Sequence, residues 1–195
     1  MFPELLRDRL ASIVELSPKQ VELLERHYER MVRWNRVLNL TSIDRLEEVV
    51  ERHYCESLFL ARRLPESGGK IVDIGSGAGF PGFPVAVLRP ECSVALIESH
   101  QRKAVFLKES AREVSNCRVI AKRAEEVMER FDWAISRAVS YRDLGKLSRL
   151  ADRAMLLTGA EEPPRGLGFQ WQSPTPLPWG KGRFLRISSE VACFT

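Results

Sequence analysis

The densest chemistry in the chain lies in Ile71-Val72-Asp73-Ile74-Gly75-Ser76-Gly77-Ala78-Gly79-Phe80-Pro81-Gly82. An apolar run ends in a carboxylate and passes into a turn with glycine at 75, 77 and 79, so the backbone can approach a ligand with no side chain in the way. A second acid, Glu98, closes the next apolar run 23 residues after Gly75, where a carboxylate can accept the two hydroxyls of a ribose. A cation, Arg137, follows Ile135-Ser136 at the end of a further run. The dinucleotide fingerprint asks for glycine at its first, third and sixth positions, and the sixth position from Gly75 is Phe80. The fit to a ligand with a pyrophosphate at the helix N-terminus is therefore imperfect. From the residues alone other roles stay open: Asp73 could cap a helix, Glu98 could face solvent, and Arg137 could pair with a nearby carboxylate.

These residues need a scaffold, and the hydrophobic pattern supplies one. Strand-length runs occur at Ile71 to Ile74, Val94 to Ile97, Val119 to Ala121, Trp133 to Ser136 and Ala154 to Leu157, separated by segments of helical pattern. Such alternation predicts an α/β fold with a mostly parallel sheet, its ligands at the carboxyl ends of the strands. Gly168 to Ser173 and Arg183 to Ser189 are expected to pair as a hairpin that puts an antiparallel strand on the sheet edge. The first 64 residues read as helices and are expected to form a cap, with residues 65–195 as the ligand-binding domain. Leu6, Leu10, Ile13 and Val14 mark the first helix. Ser17-Pro18-Lys19-Gln20 supplies a capping box for a second, with a stripe of Val21, Leu24, Tyr28, Met31 and Leu38. A third is expected from Asp44, with Glu47 as its capping-box partner, to just before Pro65.

At 195 residues the chain has room for one domain and a small appendage, and its 44% hydrophobic and 29% charged residues are ordinary for a globular protein. The opening MFPELLRDRL is charged within seven residues and no apolar run is long enough to span a bilayer, so a cytoplasmic protein without a membrane partner is expected. Cys55, Cys92, Cys117 and Cys193 are 37, 25 and 76 residues apart with no CxxC, which argues against a metal site or a disulfide framework. The net charge is +4, and its excess is regional. Residues 1–64 balance 11 basic against 11 acidic side chains, whereas residues 100–153 carry 13 against 8. Such a region can attract a polyphosphate, although a solvated surface has the same composition.

An acidic strand end followed by glycines at 75, 77 and 79 resembles motif I of the class I methyltransferases, which bind S-adenosyl-L-methionine there. A longer series of segments resembles one family. It runs through Trp34-Asn35-Arg36, Asn39-Leu40-Thr41-Ser42, Arg52-His53, Glu56-Ser57, Asp73 to Gly82 with Pro84, and Arg89-Pro90-Glu91. It continues through Glu98-Ser99, Arg102-Lys103, Phe106-Leu107, Arg123-Ala124-Glu125-Glu126, Phe131-Asp132 and Ile135-Ser136-Arg137-Ala138. Over about residues 20–140 the chain is similar to the bacterial glucose-inhibited division protein B family, small-subunit ribosomal RNA guanine-N7 methyltransferases. The resemblance implies a Rossmann-like sheet, S-adenosyl-L-methionine as cofactor, and 16S ribosomal RNA or the small subunit as partner. It places Asp73, Gly75, Gly77, Gly79, Phe80, Glu98, Ala124, Glu125 and Arg137 around the cofactor, and Arg137, Arg123, His53 and Asn39 on the substrate side. From the residues themselves Phe80 could be a core aromatic, Glu125 a surface charge and His53 a structural histidine. Guanine N7 is an in-plane acceptor with no proton to lose, so no general base is expected, only alignment.

The chain departs from the family pattern at two points. The fifth strand ends Leu157-Thr158-Gly159 where the family typically has a lysine between leucine and glycine. Only Gly159 to Leu167, with Pro163 and Pro164, separate it from the hairpin, so the usual helix there is expected to be missing. One sheet face is then thinly covered, and Trp171, Trp179 or self-association through the C-terminal region is expected to shield it. Other readings are a methyltransferase with another acceptor, a non-catalytic RNA-binding relative that keeps the fold, and a nicotinamide-dependent oxidoreductase.

Overall fold

The computed structural model describes residues 1–137, 144–163 and 168–189, and everything below concerns those residues. One sheet has the strand order β3-β2-β1-β4-β5-β7-β6, with β1 Gly69–Ile74, β2 Cys92–Ile97, β3 Cys117–Ile120, β4 Phe131–Arg137, β5 Ala151–Thr158, β6 Thr175–Pro176 and β7 Phe184–Ile187. The neighbours from β3 through β5 are parallel, while β7 runs antiparallel to β5 and β6 antiparallel to β7. The expected mostly parallel α/β sheet is present. Strand order reverses between β1 and β4, which makes their carboxyl ends the crevice where such sheets bind ligands.

The helices are α1 Phe2–Leu10, α2 Pro18–Leu38, α3 Leu46–Val49, α4 Glu56–Ala61, α5 Gly82–Leu88, α6 Gln101–Ala111 and α7 Leu144–Leu150. None is long and apolar enough to cross a membrane. The capping box of α2 forms: Gln20 N–H donates to Ser17 Oγ at 3.2 Å and Ser17 N–H to Gln20 Oε1 at 2.9 Å. The third helix starts later than its sequence predicts. Arg45, not Asp44, occupies the cap position, because Thr41 Oγ1 accepts from Ile43 N–H at 3.1 Å and holds the preceding residues in a turn. Between α3 and α4 the helical path continues through a π-helical turn, Val50–Cys55.

Alternate strand residues serve two cores. Ile71, Val94, Leu96, Ile135, Met155 and Leu157 pack with residues of α1, α2, α4, α5 and α6, such as Leu6, Leu24, Leu58, Phe83 and Phe106. Val72, Ala95, Ala134, Ala154 and Leu156 pack on the other face with Leu147 and Leu150 of α7 and with Phe169.

The hairpin differs from its expected boundaries. The arm expected at Gly168 to Ser173 is not a strand; Trp171 makes one isolated bridge to Ser188, and the paired arm is Thr175–Pro176. Prolines 174, 176 and 178 deprive this arm of donors, which suits a short outermost strand. Between β5 and β6 no helix occurs among the described residues, while 164–167, part of that expectation, lie outside them. The two tryptophans lie on opposite faces: Trp171 beside Phe169, and Trp179 edge-on to Phe59 of α4 at 6.1 Å.

Candidate active site

At the carboxyl end of β1 the loop is built to stay open. Gly75 and Gly77 adopt φ of 72° and 56°, a left-handed region that disfavours side chains. A Cβ on Gly75 would meet nothing within 4 Å, and one on Gly77 only Gly75 O at 3.9 Å. The loop is tied to the next strand through Gly75 and Ser76 N–H, which both donate to Ile97 O at 3.0 Å. Gly79 instead faces inward, against His27, Phe83 and Leu107.

Two carboxylates flank this cradle. Asp73 is fully buried, and its Oδ2 accepts from Gly82 N–H at 2.9 Å at the start of α5. A Cβ on Gly82 would collide with Leu96 and lie 2.7 Å from Asp73, so this hydrogen bond requires glycine there. Asp73 Oδ1 has no partner although it is buried. Burial pushes this carboxyl up to about 7, against the opposing effect of the Gly82 hydrogen bond. An unpartnered buried acceptor is costly unless a donor arrives, and a ligand cation meets that need. Glu98 spans the loop and the next helix: Oε2 accepts from Gly77 N–H at 3.0 Å and Oε1 from His100 N–H at 2.7 Å. Each oxygen keeps a lone pair for a ligand hydroxyl.

Arg137, the last residue of β4, shares the face of Ile135, as Asp73 shares that of Ile71, so both point toward the face covered by α1, α2, α4, α5 and α6. Its Nη1 donates to Arg52 O at 2.9 Å and to His53 Nδ1, and its guanidinium lies 5.2 Å from the centre of the Phe80 ring. Arg52 and His53 belong to the π-helical turn, a distortion often found at functional sites. Burial lowers the Arg137 pKa to about 10, which leaves it charged near neutrality. Burial, and then the Arg137 charge, hold His53 down to about 2. Phe80 is buried, with His53 stacked at 4.6 Å and Tyr54 edge-on at 5.0 Å. It forms the floor under Arg137, and its backbone belongs to the glycine loop.

The remaining sequence-selected residues divide. Ala124 and Glu125 lie in a 3-10 turn, Ala124–Glu126, after β3. Arg149 of α7 donates to Ala124 O at 2.6 Å and Lys146 pairs with Glu125 at 2.8 Å, so α7 fixes this turn. Arg123 is exposed at its start. Asn39 is exposed at the end of α2 with φ of 47°, two residues before Thr41, which contacts His53.

Several participants escape sequence reasoning. Glu56 is buried and binds Arg183 of the hairpin through two hydrogen bonds, which joins α4 to the C-terminal strands. Arg186, also buried, donates from Nε to Thr158 Oγ1 at 3.1 Å, beside the position where the family lysine is absent. No spacing rule foretells such long-range pairs, and nothing in Val50–Cys55 signals a π-helical turn.

The model of the GidB family, rRNA small subunit methyltransferase G, matches residues 20–158. The chain belongs to the GidB family. Among curated members, ribosomal RNA small subunit methyltransferase G of Chromobacterium violaceum is 35% identical over 180 residues, which cover 90% of this chain and 84% of that protein. The same-named protein of Nitrosomonas europaea is 42% identical over 142 residues, 69% of this chain and 65% of its own length. GidB membership agrees with the fold. A magnesium protoporphyrin IX methyltransferase from Synechocystis with bound SAH matches with a TM-score of 0.60 at 15% identity, covering 96% of this chain and 99% of that one. A SAM-dependent methyltransferase from Aquifex aeolicus gives 0.58 at 16% identity, over 74% and 93%. Both support the class I methyltransferase fold for this GidB chain.

Proposed function

We propose that this chain transfers a methyl group from S-adenosyl-L-methionine to N7 of a guanine in 16S ribosomal RNA, in the cytoplasm. The observation that carries the reading is the open cradle at Gly75, flanked by the orphaned Asp73 carboxylate and by Arg137 on the adjacent strand, in a GidB chain. These residues fit the cofactor. Asp73 Oδ1 would accept from its ammonium group, Glu98 from its ribose hydroxyls, and the Ala124-Glu125 turn would border its adenine. When bound, the cofactor supplies an electrophilic methyl group on a sulfonium.

The protein's own work is alignment. Among the described residues Arg137 donates through Nη1, and in this reading Nε and Nη2 hold an acceptor edge such as guanine O6. Phe80 and the neutral His53 keep that guanidinium in place. Because N7 has no proton to lose, none of these groups need act as a base, and holding the reactants in line while excluding water provides the acceleration. In this reading residues 1–64 are the cap that supplies the substrate side and residues 65–195 carry the cofactor. Exposed Arg123 and Asn39 border the RNA path, and exposed Arg102, Lys108 and Arg112 meet its phosphates. Self-association belongs to the proposal at the C-terminal region, where a cleft of about 760 Å³ lies between Phe169, Trp171, Pro174 and Arg186. Sedimentation velocity tests it, and a monomer at all concentrations removes it.

The deciding experiment is transfer of labelled methyl groups to undermethylated small subunits and to free 16S RNA, followed by mapping of the modified base. Label at guanine N7 is the expected result. Label elsewhere would change the acceptor, and none with either substrate would sink the activity.

A further inference from the structure

Arg137 does not stand alone. Its partner His53 touches Thr41, with Thr41 Oγ1 2.8 Å from His53 Nε2, and Thr41 is itself clamped. Asn35 Nδ2 donates to Thr41 O at 3.0 Å, and Thr41 N–H donates to Asn35 Oδ1 at 2.9 Å. The chain Asn35, Thr41, His53, Arg137 thus runs from α2, through the loop after it and the π-helical turn, to the end of β4.

The proton positions along this chain follow from elementary donor counting. A guanidinium has only donors, so His53 Nδ1 must accept from Arg137. Buried beside that cation, His53 is neutral and carries one ring proton, which must then sit on Nε2. Nε2–H donates to Thr41 Oγ1, which also accepts from Ile43 N–H. Thr41 Oγ1 is therefore the acceptor that satisfies Nε2–H in the one tautomer able to receive Arg137. The opposite tautomer would set an N–H against the guanidinium.

We propose that Thr41 is a positioning residue for methyl transfer: its hydroxyl anchors the Nε2–H of His53, holds the ring where Nδ1 receives Arg137, and thereby aims Arg137 at the bound substrate. This deepens the methyltransferase reading and rests on it for the reaction. Asn35 holds Thr41 by its backbone, and Phe80 supports the His53 ring from one side. The aromatic group next to it, Tyr54, occupies itself with His27 at 2.8 Å and leaves the relay undisturbed.

The test compares Thr41→Val, which keeps the shape and removes the hydroxyl, with Thr41→Ser, which keeps the hydroxyl. Single-turnover methyl transfer should fall at least tenfold in Thr41→Val and stay within twofold of wild type in Thr41→Ser, with both proteins folded by circular dichroism. Added to Arg137→Ala, Thr41→Val should cost less than a further twofold, an outcome that general loosening of the cap would not give. Nitrogen-15 spectra of the imidazole provide a readout without turnover: wild type should show the Nε2–H tautomer alone, and Thr41→Val the same tautomer with a shifted Nε2 resonance, because Nε2–H has lost its acceptor. An Nδ1–H tautomer in wild type, a wild-type rate in Thr41→Val, or full additivity with Arg137→Ala would each overturn the proposal. A wild-type protein that methylates no RNA would sink the reaction while the spectra still decide the tautomer. If Thr41→Val does not fold, the wild-type spectrum and Thr41→Ser keep the test in force.

Discussion

Among the described residues, one face of the sheet is covered by five helices and the other by little more than α7 and two aromatic residues. On the first, α1, α2, α4, α5 and α6 bury the strand residues in one continuous core. On the second, Leu147, Leu150, Phe169 and Trp171 do the covering, next to the cleft at Trp171 and Arg186. Three groups of the candidate site with shifted protonation, Asp73, His53 and Arg137, belong to the thick side. Dense packing there desolvates them and locks their rotamers, which a site that works by alignment requires. The thin side contributes a border, the Ala124–Glu126 turn, tied down by ion pairs and single hydrogen bonds.

The largest effect should come from filling the cradle between the faces. Gly75→Trp puts a bulky side chain where nothing lies within 4 Å, in a conformation with φ of 72° that adds strain. Calorimetry should detect no S-adenosyl-L-methionine binding by a variant that still folds. Wild-type affinity would move the site elsewhere.

The same truncation on the two faces then measures the difference in packing. Phe83, 1% exposed in the thick core, should cost about 3–5 kcal/mol when changed to alanine, the usual range for a buried phenylalanine. Phe169, 5% exposed beside the cleft, should fall below that range because one side already lacks contacts. Urea unfolding of both variants checks the order. Equal losses would mean that the second face is as well packed as the first.

This asymmetry also explains what the sequence discloses. The five parallel-strand runs, the glycine loop and the α2 cap are local patterns decided by neighbours in sequence and lie close to where the pattern puts them, whereas the hairpin arm expected at Gly168 to Ser173 does not. Asp73, Gly75 and Glu98 share one edge because the strands that carry them are adjacent and parallel. Thr41, the carbonyl of Arg52, and the partnerships of Glu56 with Arg183 and Arg186 with Thr158 join distant segments. Periodicity is silent about them. The late start of α3 is similar: Asp44 and Glu47 have the spacing of a cap, but the turn at Thr41 prevails.

Arg137→Ala comes next in size. It should lower single-turnover methyl transfer about 100- to 1,000-fold, the scale of losing one preorganised hydrogen-bond donor, with a smaller change in thermal stability. An unchanged rate would remove the thick face from substrate alignment.

The pH dependence separates the faces further. The Asp73 carboxyl lies near 7 in the folded chain against about 3.9 unfolded. Because the folded value is the higher, the native state binds more protons between these limits. The contribution of Asp73 to stability is greatest at the acid end and declines as pH rises through 7, and Asp73→Asn should remove that component from a series of melting curves. A cofactor ammonium beside Oδ1 favours the ionised form, so binding should release a proton below pH 7 and tighten as pH rises toward it. Calorimetry across pH in wild type and Asp73→Asn checks this, and parallel profiles would show that Asp73 does not face the cofactor.

The smallest effects belong to the thin face. Arg149→Ala removes a donor to Ala124 O and should weaken cofactor binding a few-fold, with little change in the rate at saturation, because in the proposed site the turn borders the adenine and takes no part in alignment. Lys146→Ala removes an exposed ion pair, with the two side chains 41% and 49% accessible, and should matter less still. Salt distinguishes the two. Raising ionic strength screens the exposed pair, so wild type and Lys146→Ala should converge in cofactor affinity at high salt. The Arg149 hydrogen bond to a carbonyl should leave its variant weaker at every salt concentration. Convergence of both variants would mean that charge alone holds the turn. A fall in the saturated rate with Arg149→Ala would bring the thin face into the alignment now assigned to Arg137, His53 and Phe80.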